Sequence, residues 1–87
     1  MHELSLIADL MRKIEGIARE QGARKVVGVK VRIGALAHIS PEHLLEHFVE
    51  AARGTVAEGA RLETEMPADI ADPHAQEIRL DSVEVED

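Results

Sequence analysis

The stretch KVVGVKVRI, residues 25–33, decides the fold of this 87-residue chain. Val27, Val29, Val31 and Ile33 recur at every second position, whereas the charged Lys30 and Arg32 alternate with them. Successive side chains of a β-strand point to opposite faces, so this alternation predicts a strand with one buried face. Such a strand is stable only if other segments cover its apolar side, and the flanking segments have the patterns to do so.

The segments on either side of the strand predict two amphipathic helices. Residues 4–20 carry apolar side chains at helical spacing, and Gly22 follows where a left-handed residue would end a helix. Ser40-Pro41-Glu42 has the N-cap, the first-turn proline and the early acid of a second helix, which we expect to end near Arg53 and Gly54. The apolar stripes are Leu4, Ile7, Leu10, Met11, Ile14, Ile17 and Ala18 in the first helix, and Leu44, Leu45, Phe48, Val49 and Ala52 in the second.

Two further strands are predicted in the last third of the chain. Residues 61–66 alternate, with Leu62, Thr64 and Met66 on one face, and residues 77–86 form the last strand after a connecting loop at 67–76. The apolar positions of the last strand change parity between Leu80 and Val83, which a β-bulge near Asp81-Ser82 would accommodate. The expected fold is α+β, a single domain over residues 1–87 with two helices packed on one face of a small three-stranded sheet, in the order helix-strand-helix-strand-strand.

Composition excludes several classes of function. The net charge of −7 argues against a nucleic-acid ligand and against an anionic membrane surface. The chain has no Cys, so it lacks disulfides, thiolate metal ligands and a cysteine nucleophile. No apolar run is long enough to span a membrane, and the N-terminal residues do not resemble a signal peptide. We therefore expect a cytoplasmic protein, either monomeric or a homodimer.

Residues 43–47 match the H-x-x-E-H pattern of one metalloprotease class. Two histidines four positions apart on a helix can bind zinc, with Glu46 as a base beside them. His43 and His47 fall opposite the apolar stripe of the second helix, however, so they should face solvent and not a cleft. A protease also needs a third ligand and a substrate groove, and we reject this interpretation; no catalytic residues are assigned and the protein is not expected to be an enzyme.

Met1-His2-Glu3 is the best candidate for chemistry. The α-amine of Met1, the backbone amide and imidazole of His2, and the amide or carboxylate of Glu3 place several donors in one short stretch. Planar, nitrogen-rich donor sets suit Ni(II) and Cu(II) better than Mg²⁺ or Ca²⁺. The predicted helix behind these residues would hold them at a defined place on the domain. His38 and His74 are candidate additional ligands if their loops fold toward the N-terminus.

Several stretches resemble the HypA/HybF family of nickel-incorporation proteins. The similarity is carried by Met1-His2-Glu3-Leu4-Ser5-Leu6 and continues through the rest of the chain in the order found in that family; the other stretches are residues 31–36, 41–44, 53–63 and 82–86. The resemblance implies a nickel metallochaperone that serves [NiFe]-hydrogenase or a related nickel enzyme. It implies Ni(II) ligands at Met1, His2 and Glu3, and as partners the nickel-enzyme large subunit and a maturation GTPase.

The chain departs from the family pattern at residues 67–76. Family members carry two Cys-x-x-Cys pairs of a zinc module between the last two strands, whereas this chain has a short loop and no Cys. We therefore expect no structural zinc. A natural member without the module and an engineered nickel-binding domain both fit this pattern. The short loop leads us to expect that the last two strands pair as a hairpin, or exchange between chains if the loop is too tight. The alternative function is a metal-free interaction or regulatory module of the same maturation system.

Overall fold

The computed structural model describes residues 3–37, 39–66, 71, 73 and 76–86, with the side chains of residues 3 and 4 excepted. The elements follow the predicted order: α1 (Glu3–Glu20), β1 (Lys25–Ile33), α2 (Pro41–Ala52), β2 (Arg61–Glu65) and β3 (Ile78–Glu86). The α+β class with two helices and a three-stranded sheet is confirmed. Neither helix, within the described residues, is long and apolar enough to cross a membrane.

The predicted strand at residues 25–33 forms the centre of the sheet, whose order is β2-β1-β3. β2 runs parallel to β1, whereas β3 runs antiparallel to it. The expected hairpin between the last two strands is therefore wrong, because β1 lies between them. A parallel partner requires a crossover connection, which α2 supplies between β1 and β2. The returning strand β3 then pairs with the other edge of β1 and not with the outer edge of β2.

Two irregularities in the pairing of β1 with β3 decide which side chains enter the core. Asp81 has no partner between the pairs Lys30–Ser82 and Val31–Leu80, which confirms the predicted bulge. Val27 is a second extra residue, between the pairs Val26–Val85 and Gly28–Glu84. Val26 is therefore fully buried and Val27 only half-buried, so the prediction that Val27 shares the buried face is wrong.

The core is aliphatic apart from Phe48, and it lies where α1 and α2 cover β1. Residues from both helices and the central strand contribute, and no buried polar side chain occurs among the described residues. Leu45, Val49 and Met66 depart from the predicted apolar faces, because they are 45%, 50% and 52% exposed. The buried apolar residues are Ile7, Leu10, Met11, Ile14, Ala18, Val26, Val29, Val31, Ile33, Ile39, Leu44, Phe48, Ala52 and Ala57.

The predicted helix ends are confirmed. Gly22 and Gly54 have left-handed backbones, with φ of 64° and 79°. At the start of α2, the hydroxyl of Ser40 accepts a hydrogen bond of 3.1 Å from the main-chain N–H of His43, as an N-cap does.

The turn between α2 and β2 is held by one threonine. The Thr55 hydroxyl donates to the carbonyl of Ala52 at 2.7 Å and accepts from the N–H of Ala57 at 3.1 Å. The N–H of Val26 donates to the carbonyl of Val56 at 2.9 Å, which fastens this turn to the start of β1. These contacts give residues 53–60 a structural role in joining α2 to the sheet.

Candidate functional site

The predicted nickel ligands lie at the start of α1, at the limit of what the structure describes. Met1 and His2 fall outside the described residues, and Glu3 is described by its backbone alone. His38 and His74, the candidate additional ligands, also fall outside, as does most of the loop at 67–76. The ligand set therefore stays a prediction, and the geometry on which it depends is that of α1.

Buried side chains fix the first half of α1 against the rest of the domain. Ile7 and Leu10 are each 3% exposed and Met11 is 6% exposed, so packing begins one turn after Glu3. The helix contacts both β3 and α2. The backbone of Glu3, at the start of α1, is therefore held at a defined position on the domain.

The backbone at this point has free donors. The first four N–H groups of an α-helix have no intrahelical acceptor, and Glu3 is the first residue of α1. Its amide can consequently lose its proton to a metal ion without breaking a helical hydrogen bond. The positive end of the helix dipole also favours a deprotonated amide, although it opposes a bare cation.

Asp9, the only aspartate of α1, forms ion pairs with two basic side chains. Arg12 forms a short ion pair with Oδ1 of Asp9, and Nζ of Lys13 lies 3.1 Å from Oδ2. The hydrogen bond from Arg12, followed by that from Lys13, lowers the pKa of Asp9. Both carboxylate oxygens are thus engaged within the helix, which leaves Asp9 poorly suited to act as an additional metal ligand.

The two histidines of α2 lie on its solvent side. His43 is exposed and His47 half-buried, and Glu46 faces solvent between them. Among the residues that the structure describes, no three His, Asp or Glu side chains come together in a way that could hold a metal ion.

The face of the sheet away from the helices carries a network of ion pairs. Nζ of Lys30 lies 3.1 Å from Oε1 of Glu65 and 3.9 Å from Oδ2 of Asp81, while Arg32 lies 3.4 Å from Glu65. The hydrogen bond from Lys30 lowers the pKa of Glu65 and, reciprocally, raises the pKa of Lys30. Because Lys30 and Arg32 are paired with Glu65 and Asp81, the positive charges of this network are engaged within the sheet.

Two clefts near the end of α1 are remote from the predicted ligands. One, of about 510 Å³, is lined by Arg24, Lys25 and Glu86 among others, and the second, of about 460 Å³, by Glu15 and Arg19. An α-helix rises 1.5 Å per residue, so the last turn of α1 lies roughly 20 Å or more from its start. Neither cleft can contribute to a metal site at the N-terminus.

A family model and individual relatives identify the same protein family for this chain. Residues 1–85 match the family model described as "Hydrogenase/urease nickel incorporation, metallochaperone, hypA". The hydrogenase maturation factor HypA of Archaeoglobus fulgidus is 44% identical over 63 residues, which is 72% of this chain and 57% of that protein. HypA of Chlorobium limicola is 42% identical over 71 residues, 82% of this chain and 61% of that protein. The chain thus spans about three fifths of the length of these relatives.

The fold is also that of a solved structure. The solution structure of the Ni metallochaperone HypA from Helicobacter pylori superposes with a TM-score of 0.82. The match covers 99% of this chain and 98% of that one, at 20% sequence identity. At this identity the likeness establishes the architecture of helices and sheet and not the ligands.

Proposed function

Because this chain belongs to the HypA family of nickel-incorporation proteins, we propose that it binds Ni(II) at its N-terminus as cargo and supplies it to a nickel enzyme during maturation. The acceptor would be a [NiFe]-hydrogenase or a related enzyme. The observation that carries the proposal is that the family match begins at residue 1, so it includes Met1-His2-Glu3. The protein would act as a carrier and not as an enzyme.

The donor set fits nickel chemically. An amine, an imidazole and deprotonated amides are strong nitrogen donors, and Ni(II) accepts them in a planar arrangement. Each amide that loses its proton brings one negative charge, which offsets the charge of the metal at the positive end of α1. The free N–H of Glu3 at the first position of α1 supports this arrangement, because its deprotonation leaves the helix intact.

A ligand set at a chain terminus suits transfer. Its donors precede the first buried residue of α1, Ile7, in the sequence, so we expect that an acceptor could replace them one at a time without opening the core. The large subunit of the nickel enzyme and a maturation GTPase remain the proposed partners, and a cytoplasmic location remains a prediction. With no Cys in the chain, nickel transfer would proceed without the thiolate zinc module of the family.

The second candidate is a metal-free interaction module of the same maturation system. It is favoured by the lack of Cys, since the family's zinc module requires Cys-x-x-Cys pairs. This protein would bind a maturation partner, or regulate one, without carrying nickel.

Nickel titration of the untagged protein distinguishes the two. We expect a planar Ni(II) ligand-field band in the wild type that is lost in His2→Ala and in a variant with residues added before Met1. The matched control is His43→Ala/His47→Ala. It removes the two histidines that the structure describes, both on α2, and it should keep the band. Wild-type binding by both N-terminal variants would exclude the N-terminal site.

The metal-free alternative makes the opposite prediction. It requires that the untagged protein shows no binding at micromolar nickel and still retains a hydrogenase subunit or the maturation GTPase in a binding assay. Circular dichroism of each variant establishes that the fold is intact before either result is interpreted.

A further inference from the structure

One face of α2 combines exposed apolar side chains with uncompensated acids. Leu45 and Val49 are 45% and 50% exposed, whereas the other Leu, Ile and Val side chains whose burial is described are buried or half-buried. They are four positions apart on the helix and are therefore neighbours on its surface. Their exposure leaves a short apolar row that no other described part of the chain covers.

Glutamates follow this row. Glu42 and Glu46 each precede an apolar residue by three positions, so they form a parallel acidic row beside it. Neither forms an ion pair within the described part of the chain, in contrast to Glu50, which lies 3.5 Å from Arg53. Arg53 also lines a cleft adjoining this row, but its described ion pair is with Glu50, so Glu42 and Glu46 keep their negative charges unpaired.

A cleft of about 270 Å³ continues the apolar row. Its wall includes Val49 itself and the buried Phe48 and Ala52, together with Ala60 from the turn before β2. This volume is slightly smaller than that of ordinary small-molecule sites, which begin near 300 Å³, and suits an inserted side chain. Glu58, also without an ion pair among the described residues, adds a carboxylate at its wall.

We propose that this surface, Glu42, Leu45, Glu46 and Val49 with the adjoining cleft, docks a basic amphipathic helix of a partner protein. An aliphatic side chain of the partner enters the cleft, its neighbours one turn away cover Leu45 and Val49, and its Lys or Arg residues meet the acidic row. Helices commonly bind such faces with apolar anchors at i, i+3 or i+4 and i+7. The surface lies on α2 and is separate from the proposed nickel ligands on α1.

Charge favours a basic helix over a second copy of the chain or an anionic membrane as the ligand of this surface. A second copy of the chain would bring its own net charge of −7 and the same acidic row, so like charges would face each other. An anionic membrane surface would be repelled for the same reason. A basic helix instead gains both from the apolar row and from the unpaired carboxylates.

The test uses a synthetic amphipathic helix of leucine and lysine as the probe, added to the isotope-labelled protein and followed by NMR. We expect chemical-shift changes at residues 42–53 and 58–60. Leu45→Ser/Val49→Ser, which keeps the charge, should weaken binding by about tenfold. Glu42→Gln/Glu46→Gln should weaken it as well and reduce its dependence on salt.

The matched control is Glu20→Gln/Glu86→Gln, which removes two exposed carboxylates away from α2 and should leave the affinity unchanged. If this control weakened peptide binding as much as Glu42→Gln/Glu46→Gln, the peptide would be responding only to net charge. Chemical-shift changes at acidic residues outside α2 as large as those on α2 would mean the same, and either result would overturn the proposal. Shifts on α2 that depend on protein concentration without peptide would identify a second copy as the occupant and overturn it too. Nickel binding is measured separately, so its failure does not affect this result.

Discussion

The guanidinium of Arg61 on β2 reaches the carboxylate of Glu84 on β3, with 3.1 Å between Nη2 and Oε1, although β1 lies between the two strands. Gly28 of β1 pairs with both residues and has no side chain to separate them. A Cβ placed on Gly28 would lie 3.0 Å from Nη2 of Arg61 and 3.4 Å from the carboxylate of Glu84. The ion pair across the sheet therefore depends on a glycine in the middle strand.

A double-mutant cycle can measure this dependence. With Gly28 present, Arg61→Ala and Glu84→Ala should be coupled in their effect on the free energy of unfolding. In a Gly28→Ala background the ends of the two side chains must give by a few tenths of an ångström, and the coupling should weaken. Glu63 also lies 3.2 Å from Arg61 and serves as the control, because its coupling should survive in both backgrounds. Coupling between Arg61 and Glu84 that is unaffected by Gly28→Ala would contradict the steric explanation.

The pair of Lys30 and Glu65 predicts how stability responds to acid. The hydrogen bond from Lys30 lowers the pKa of Glu65 in the folded protein below its ordinary value of 4.5. A carboxylate with a lowered folded pKa stabilises the protein above its unfolded pKa, and this contribution is lost as the pH falls through the folded pKa. Carboxyl NMR titration should give a pKa for Glu65 below 4.5 in the wild type and a higher value in Lys30→Met.

Chemical denaturation provides a second measurement of the same effect. Below about pH 4.5, the unfolding free energy of Glu65→Gln should fall less steeply with acid than that of the wild type. Glu46→Gln removes the same charge from a carboxylate without a described ion pair and should keep more of the wild-type slope. Identical slopes in Glu65→Gln and the wild type would mean that the ion pair does not persist in solution.

Local sequence patterns predicted the helices and strands of this fold, because each pattern depends only on the residues of its own segment. The alternation at residues 25–33, the cap at Ser40 and the parity change near Asp81 all correspond to observed features. The extra residue at Val27 could not be recognised, because Val26 and Val27 are equally apolar and the bulge appears only in the pairing with β3. The hairpin prediction was wrong for a similar reason, since the pairing of β3 with β1 depends on contacts between distant segments and not on the short loop before β3.

Leu45 and Val49 mark the limit of predicting burial from periodicity. Their spacing is that of a core stripe, yet neighbouring elements cover only the arc of α2 that contains Leu44, Phe48 and Ala52. For Met1-His2-Glu3, the residue types indicate suitable donors, but their arrangement around a metal depends on metal binding itself.

Phe48 should be the largest single contributor to the core. It is 1% exposed and is the largest fully buried side chain. Phe48→Ala should lower the free energy of unfolding by about 3–5 kcal/mol, because it removes apolar contacts and leaves a cavity. Val49→Ala, at the adjacent and half-exposed position, should have a much smaller effect. Urea denaturation compares the two, and similar losses would contradict the described packing.

Two glycines should respond to alanine with opposite signs. Gly16 lies inside α1, and an added Cβ would meet no atom within 4 Å. Gly16→Ala should therefore stabilise the protein by roughly 0.5–1 kcal/mol. Gly54 has equal space but a φ of +79°, so Gly54→Ala should destabilise by about 1–2 kcal/mol through the backbone alone. Thermal denaturation of both variants tests this, and a common sign would contradict it.

Nickel affinity should fall steeply in acid if the amine, the imidazole and backbone amides at the N-terminus are the ligands. At least two protons must leave for these donors to bind, so the apparent affinity should fall by at least about a hundredfold per pH unit below the pKa values of both. Isothermal titration in buffers of different ionisation enthalpy counts the protons released. The His43→Ala/His47→Ala variant should release the same number as the wild type, since its N-terminal donors are unchanged. At a pH below the pKa values of both the amine and the imidazole, release of fewer than two protons by the wild type would exclude joint coordination by Met1 and His2.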